Sequence, residues 1–358
     1  MLIARMIRSL EGTVLPSVVC LDDTGELAEI LQDEGVPVIC VHRRPGIDCV
    51  LPSRLARVFR QLKPDIVHAQ QYTPTMYAGA AMALLRNRPA LIFTEHGRHW
   101  PDVVSWKRQA FNRLFLNRII DACTAVCQYS ADAIRNNENL RRRVEIIPNG
   151  VDIDAFRKLR KPRDELCRAA MLDSTRRYVL CVARFHPVKG HHTLVAAFAH
   201  VSRQFPDVDL LLAGEGPERA ALERRVRDTG LSQRVHFLGV RKDVTRLMSL
   251  SQAFCMTSVN EAASLTVLEA MACELPVVLT DVGGNGEIVR HNIDGLLVPR
   301  SDVEACARSL GHLLEHSRQA REMGLSGRQR VATEFSFDTM VSRYRELYTR
   351  LSSSGNIG

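Results

Sequence analysis

No stretch of this 358-residue chain holds the roughly 18 consecutive apolar residues of a membrane-spanning helix. The first twelve residues, MLIARMIRSLEG, lack the continuous apolar core and small-residue cleavage site of a secretory signal. They read as an amphipathic helix. The ten cysteines include no Cys-x-x-Cys pair. Cys123 and Cys127 stand one helical turn apart, with no His or Cys group beside them to complete a metal site. Reduced cytosolic thiols fit this usage better than a disulfide framework or a zinc site. No Asp-x-Asp pair stands at the end of a predicted strand, so no divalent cation is required. Nor is there an internal repeat. The net charge of +8 is spread over both halves, which excludes a nucleic-acid-binding tail. It suits an anionic substrate or an anionic membrane surface.

What is present is a globular composition, 46% hydrophobic and 25% charged, with length for two domains. The first half alternates short apolar runs with helical periodicity, the pattern of a parallel sheet covered by helices. Strands are predicted at 15–21, 37–41, 65–69, 90–94, 122–127 and 144–147. Helices are predicted at 25–34, 51–62, 73–85 and 106–118. Pro148–Asn149–Gly150 marks a turn, read as the hinge between domains. The pattern then restarts, with strands at 178–183, 209–213, 235–238, 253–257, 276–280 and 295–298. A last helix is predicted at 338–351, followed by a disordered SSSGNIG tail.

The richest stretch runs from Ser258 to Glu287, SVNEAASLTVLEAMACELPVVLTDVGGNGE. It sets two glutamates, Glu261 and Glu269, around a helix start, then a buried strand, then the glycine turn Gly283, Gly284 and Gly286. Ala263, Ser264, Leu265 and Thr266 are the expected first turn. Unpaired N–H groups there attract anions, so their backbone can hold a diphosphate. A carboxylate just outside such a turn repels phosphate and suits sugar hydroxyls, while Glu269 in an apolar helix needs partners such as the two hydroxyls of a ribose. Upstream, Arg184 and Lys189 follow a strand in VARFHPVKG, where α/β sheets bind ligands. Both suit a diphosphate; as solvated surface cations they would do nothing. Gly214–Glu215–Gly216–Pro217 is a tight turn, equally a plain loop or a nucleotide contact. Gly239–Val240–Arg241 can present groups to a base.

The stretch resembles the retaining glycosyltransferases of family 4, enzymes with two facing Rossmann-like domains and a cleft between them (the GT-B architecture). The resemblance is carried by Glu261, Leu268–Glu269–Ala270–Met271–Ala272, Pro276–Val277–Val278 and Asp281–Val282–Gly283–Gly284. It is extended by Lys63–Ala69, Thr94–Gly97 and Pro148–Asp152. It implies that Glu261 faces the donor sugar, that Glu269 holds the ribose, and that His96 contacts the donor sugar without acting as a base. Arg98 and His99 are candidates for the acceptor, whereas His68 reads as structural. It implies an acceptor-side domain at 1–150, a nucleotide-sugar-binding domain at 151–337, and a final helix, 338–358 with its tail, that returns to the first domain. The chain departs from the family in Ala262–Ala263 for the usual Gly-Phe and in Ala183 for Gly. Members also open with a strand and a glycine-rich loop, both absent here. A start assigned too late is the favoured explanation over a shortened, impaired chain.

The implied activity is transfer of a sugar from a nucleotide diphosphate donor, without metal or other cofactor, to a lipid-linked or polysaccharide hydroxyl. Exopolysaccharide, lipopolysaccharide or glycolipid assembly is the implied setting, in the cytoplasm or at the inner face of the plasma membrane. Trp106–Arg118 mixes cations with Trp106, Phe111, Leu114 and Phe115, so it is either a packed helix or a contact with anionic lipid. Two rival readings stand: a nucleotide-sugar 2-epimerase, disfavoured by the Leu-Glu-Ala-Met-Ala helix, and a non-catalytic donor- or partner-binding subunit.

Overall fold

The computed structural model describes residues 2–97 and 104–354. Arg98, His99 and the tail residues Gly355–Gly358 lie outside them. The chain divides into two compact units, one of residues 2–97, 104–147 and 340–354, the other of 148–339. Every strand pairing within the named sheets is parallel.

In the first unit β1 (Val18–Cys20) pairs with β2 (Val38–Cys40). A separate four-stranded sheet runs β3 (Ile66–Gln70), β4 (Ala90–Glu95), β5 (Ala122–Ala125), β6 (Val144–Ile146). Val19, Leu21 and Ile39 nevertheless pack on the same core as Leu55, Phe59, Phe93 and Leu116. The helix Leu51–Leu62 shows how the sequence builds that core. Leu51, Leu55, Val58 and Phe59 form a stripe spaced by three and four and are buried. Lys63 then turns left-handed, its N–H bonds the Phe59 carbonyl, and Pro64 prevents continuation.

Two expectations for this unit need correction. Residues 106–118 are not one regular helix but Trp106–Phe111, a π-turn at Asn112–Leu116, and Asn117–Ile119. The cause is a buried polar anchor, Asn112, whose side chain donates to the Glu138 carbonyl at 2.8 Å and to its carboxylate at 3.1 Å. The last helix is Phe337–Ser354, so Ser352 and Ser353 are helical rather than disordered. Its Met340, Val341, Tyr344 and Leu347 are buried. The Tyr348 hydroxyl meets His68 Nδ1 at 2.6 Å, and Thr94 Oγ1 meets His68 Nε2 at 2.6 Å. Burial, with a smaller effect of His96, pushes the His68 pKa down to about 3, so the ring is neutral.

The second unit holds six strands, β7 (Arg177–Val182), β8 (Val208–Ala213), β9 (Val235–Gly239), β10 (Ala253–Met256), β11 (Val277–Thr280) and β12 (Gly295–Val298). Their order is β12-β11-β10-β7-β8-β9. Runs such as LLLA, AFCM and VVL are apolar at every position because both faces of the sheet are covered. Two buried clusters, around Phe198 and Leu212 and around Phe254 and Leu268, flank it. The order reverses between β7 and β10, which makes that gap the topological switch point, where open α/β sheets bind ligands.

Candidate functional site

Both loops at the switch point are tied down by backbone contacts. The loop after β7 ends in a short turn, Pro187–Lys189, and Gly190 takes a φ of +62°. A Cβ there would stand 2.0 Å from the Thr257 carbonyl oxygen, so only glycine lets the two loops meet. Thr257 Oγ1 donates to the Gly190 carbonyl at 2.9 Å, and Val259 N–H to Val188 at 2.7 Å. The result is a direct ion pair, with Lys189 Nζ 2.5 Å from Glu261 Oε2 and both groups largely buried. Ser258, fully buried, adds a hydroxyl to the same carboxylate oxygen at 3.1 Å.

Glu261 is held from behind by the glycine turn. Gly284 N–H donates to the Glu261 carbonyl at 3.0 Å. Gly283 lies at φ +55°, and a Cβ on it would fall 1.8 Å from that oxygen. The glycines of Asp281–Gly286 therefore shape the site by clamping Glu261. Thr280 Oγ1 bonds the Ser258 carbonyl at 2.6 Å, which joins β11 to the same loop.

The helix that follows is Leu265–Ala272, two residues shorter at its start than expected. Ala263 and Ser264 precede it. Ser264 is extended and occupies the cap position, because its carbonyl accepts the Leu268 N–H at 3.3 Å while its own dihedrals stay outside the helix. The unpaired donors are thus those of Leu265, Thr266 and Val267. Asn149, buried, donates to the Ala263 carbonyl at 3.0 Å and fixes the approach. Glu269 sits one turn beyond Leu265 and is half-buried.

The other candidates separate clearly. Arg184 is exposed and its guanidinium has no hydrogen-bond or ion-pair partner among the described residues, so its fork of donors is available. Gly214 and Gly216 lie against the backbone of Ala183 and Phe185, with Gly214 N–H on the Gly239 carbonyl at 2.8 Å and Phe185 N–H on Glu215 at 2.9 Å. The Arg241 guanidinium is held bidentately by Asp243 at 2.7 and 2.8 Å, which raises its pKa and occupies two of its five N–H donors. His96 belongs to the first unit, where Nε2 bonds Gln70 Oε1 at 2.5 Å and burial lowers its pKa. Asn149 was read from sequence only as part of a hinge turn, and Ser258 and His191 were not given a role. His191 is buried edge-on against Phe185, with a ring-centroid distance of 5.1 Å, and both ring nitrogens lack partners among the described residues. No pattern of spacing signals them, since each is a lone polar residue made important by burial.

Residues 3–155 match the model for Glycosyltransferase Family 4, and residues 162–330 match that for Glycosyl transferases group 1. The chain is 28% identical to the N-acetyl-alpha-D-glucosaminyl L-malate synthase of Bacillus anthracis, over 86% of this chain and 80% of that one. It is 30% identical to a GDP-mannose-dependent alpha-(1-6)-phosphatidylinositol monomannoside mannosyltransferase of Mycobacterium tuberculosis, over 77% and 75%. HepE of Anabaena, solved in complex with UDP, superposes with a TM-score of 0.85 at 21% identity, over 98% of this chain and 96% of that one. That likeness extends the two-unit parallel α/β architecture to a GT-B fold. Matched along both halves and by a relative of this identity, the chain belongs to the group 1, family 4 glycosyltransferases and is a glycosyltransferase.

Proposed function

We propose that the enzyme transfers a sugar, with retention of anomeric configuration, from a nucleotide diphosphate sugar to a hydroxyl acceptor. The observation that carries this reading is the Lys189–Glu261 pair at the switch point, beside the unpartnered Arg184 and the start of Leu265–Ala272. In the reaction the bond from the sugar's anomeric carbon to the diphosphate oxygen breaks. The acceptor oxygen bonds the same face, and its proton passes to the leaving diphosphate. Lys189, Arg184 and the N–H groups of Leu265 and Thr266 would meet the charge that builds there, with no metal needed. A diphosphate that drew Lys189 away would free Glu261 to accept hydrogen bonds from the sugar. Glu269 would take the ribose hydroxyls. His96, neutral because of burial, would serve as a hydrogen-bond partner rather than a cation. A relative whose name specifies a phosphatidylinositol mannoside supports a lipid-linked acceptor, with glycolipid or polysaccharide assembly as the setting.

The test is Glu261→Gln. Turnover should fall about 10²–10³-fold, the cost of one well-placed interaction with a developing charge. The melting temperature should stay near that of the parent. A folded variant with full turnover removes Glu261 from the reaction. Incubation with donor alone should leave the sugar unchanged, whereas an epimerised sugar would assign the site to the other enzyme class.

A further inference from the structure

The segment from Val104 to Ile120 contains no acidic residue and four cations. Its inner side is anchored. Arg108 pairs with the buried Glu138 at 2.6 Å and lies over the Tyr72 ring, Asn112 is buried, and Leu116 is buried. That leaves an outer side with no role in the fold. Trp106 is 73% exposed and Leu114 65%, with Val104 and Phe111 beside them. Lys107, Arg113 and Arg118 are exposed around these apolar groups. None of the three has an acidic partner among the described residues. Along the sequence Phe111 and Leu114 are bracketed by Lys107 and Arg118, and all four side chains are exposed.

We propose that this face lies on an anionic bilayer surface. Isolated exposed apolar residues are ordinary, but here four large ones, Val104, Trp106, Phe111 and Leu114, are exposed within eleven residues. Three cations without counter-charges supply complementarity to acidic headgroups, and long basic side chains reach upward while apolar ones insert. Tryptophan favours the headgroup depth. No helix among the described residues is long and apolar enough to cross a membrane, so the contact is peripheral. The proposal does not depend on the identity of the donor or acceptor.

The chain has two tryptophans, so Trp100→Phe leaves Trp106 as the sole reporter. The full-length protein is mixed, without donor, with vesicles of phosphatidylcholine alone or of phosphatidylcholine with phosphatidylglycerol. Binding, seen as co-sedimentation and a blue shift of Trp106 emission, should occur on the anionic vesicles and weaken with salt. Lys107→Glu with Arg113→Glu should lower the partition coefficient by about tenfold or more. Trp106→Ser with Leu114→Ser should also lower it, and both variants should melt like the parent. Equal binding to neutral vesicles, or variants that bind like the parent, would overturn the proposal. So would an absence of vesicle binding accompanied by self-association through this face.

Discussion

Burial holds three histidines, His68, His96 and His191, towards the neutral ring, and their cost appears as acid sensitivity. Burial lowers the His68 pKa to about 3 and, with Lys189 and His192 adding to it, that of His191 to about 4. In the unfolded chain both titrate near 6.5. Between those values the unfolded state binds more protons than the folded one, so stability is full above pH 6.5 and falls as the pH drops towards 4. Each histidine contributes up to about 1.4 kcal/mol per pH unit in that window. The midpoint of denaturant unfolding should therefore move down between pH 7 and pH 5. His191→Phe keeps a ring beside Phe185 and removes one titration, so its midpoint should shift less far than the parent's. An equal shift in both proteins would show that His191 does not titrate as its surroundings dictate. From sequence His68 reads as structural, as its two hydrogen bonds bear out, whereas His191 carried no signal. A lone histidine has no periodicity, and His68 gains its two partners, Thr94 and Tyr348, across 26 and 280 residues.

The elements themselves were largely legible. Leu51–Leu62 and Gly295–Val298 stand where apolar spacing and flanking turns put them, and most other strands differ by one to three residues at their ends. Leu15, wholly exposed, is outside β1 because nothing on the sheet covers it. What periodicity could not show is where distant polar groups bend an element, as Asn112 and Glu138 do at the π-turn, or that β1–β2 forms its own sheet. In the site, residue types were legible through the resemblance, but the Lys189–Glu261 contact spans 72 positions and needed the fold. The glycine turn tests this at the level of the element. Gly283→Ala puts a methyl into the Glu261 carbonyl, whereas Gly230→Ala, also at a positive φ, meets nothing within 4 Å. Gly230→Ala should cost only the left-handed strain, about 1–2 kcal/mol, and leave turnover intact. Gly283→Ala should cost more and lower turnover as Glu261→Gln does. If the two variants behave alike, the clamp on Glu261 is not what the glycine serves.

At the scale of the molecule, the last described helix falls mostly in the same unit as the first. Residues 340–354 belong to the first unit, with Arg350 paired to Glu145 at 2.6 Å and Arg345 on the Ser9 carbonyl. The second unit, with its own sheet and two buried clusters, carries Lys189, Glu261, Arg184 and the Leu265–Ala272 helix start together. If these groups are the diphosphate site, a nucleoside diphosphate binds the folded protein and not the unfolded chain. It then stabilises by mass action, about 2.7 kcal/mol at a hundredfold excess over Kd. For a unit of this size that is a rise of roughly 5–10 °C in the melting temperature. Arg184→Ala alone should reduce the rise, since this exposed guanidinium supports no fold contact, and Arg184→Ala with Lys189→Ala should abolish it. The decisive arm is a chelator. With the diphosphate neutralised by two cations and a helix start, chelation leaves the rise unchanged. Were chelation to erase it in the unsubstituted protein, a divalent cation would be bridging the phosphates, and the roles given to Arg184 and Lys189 would have to be shared with it.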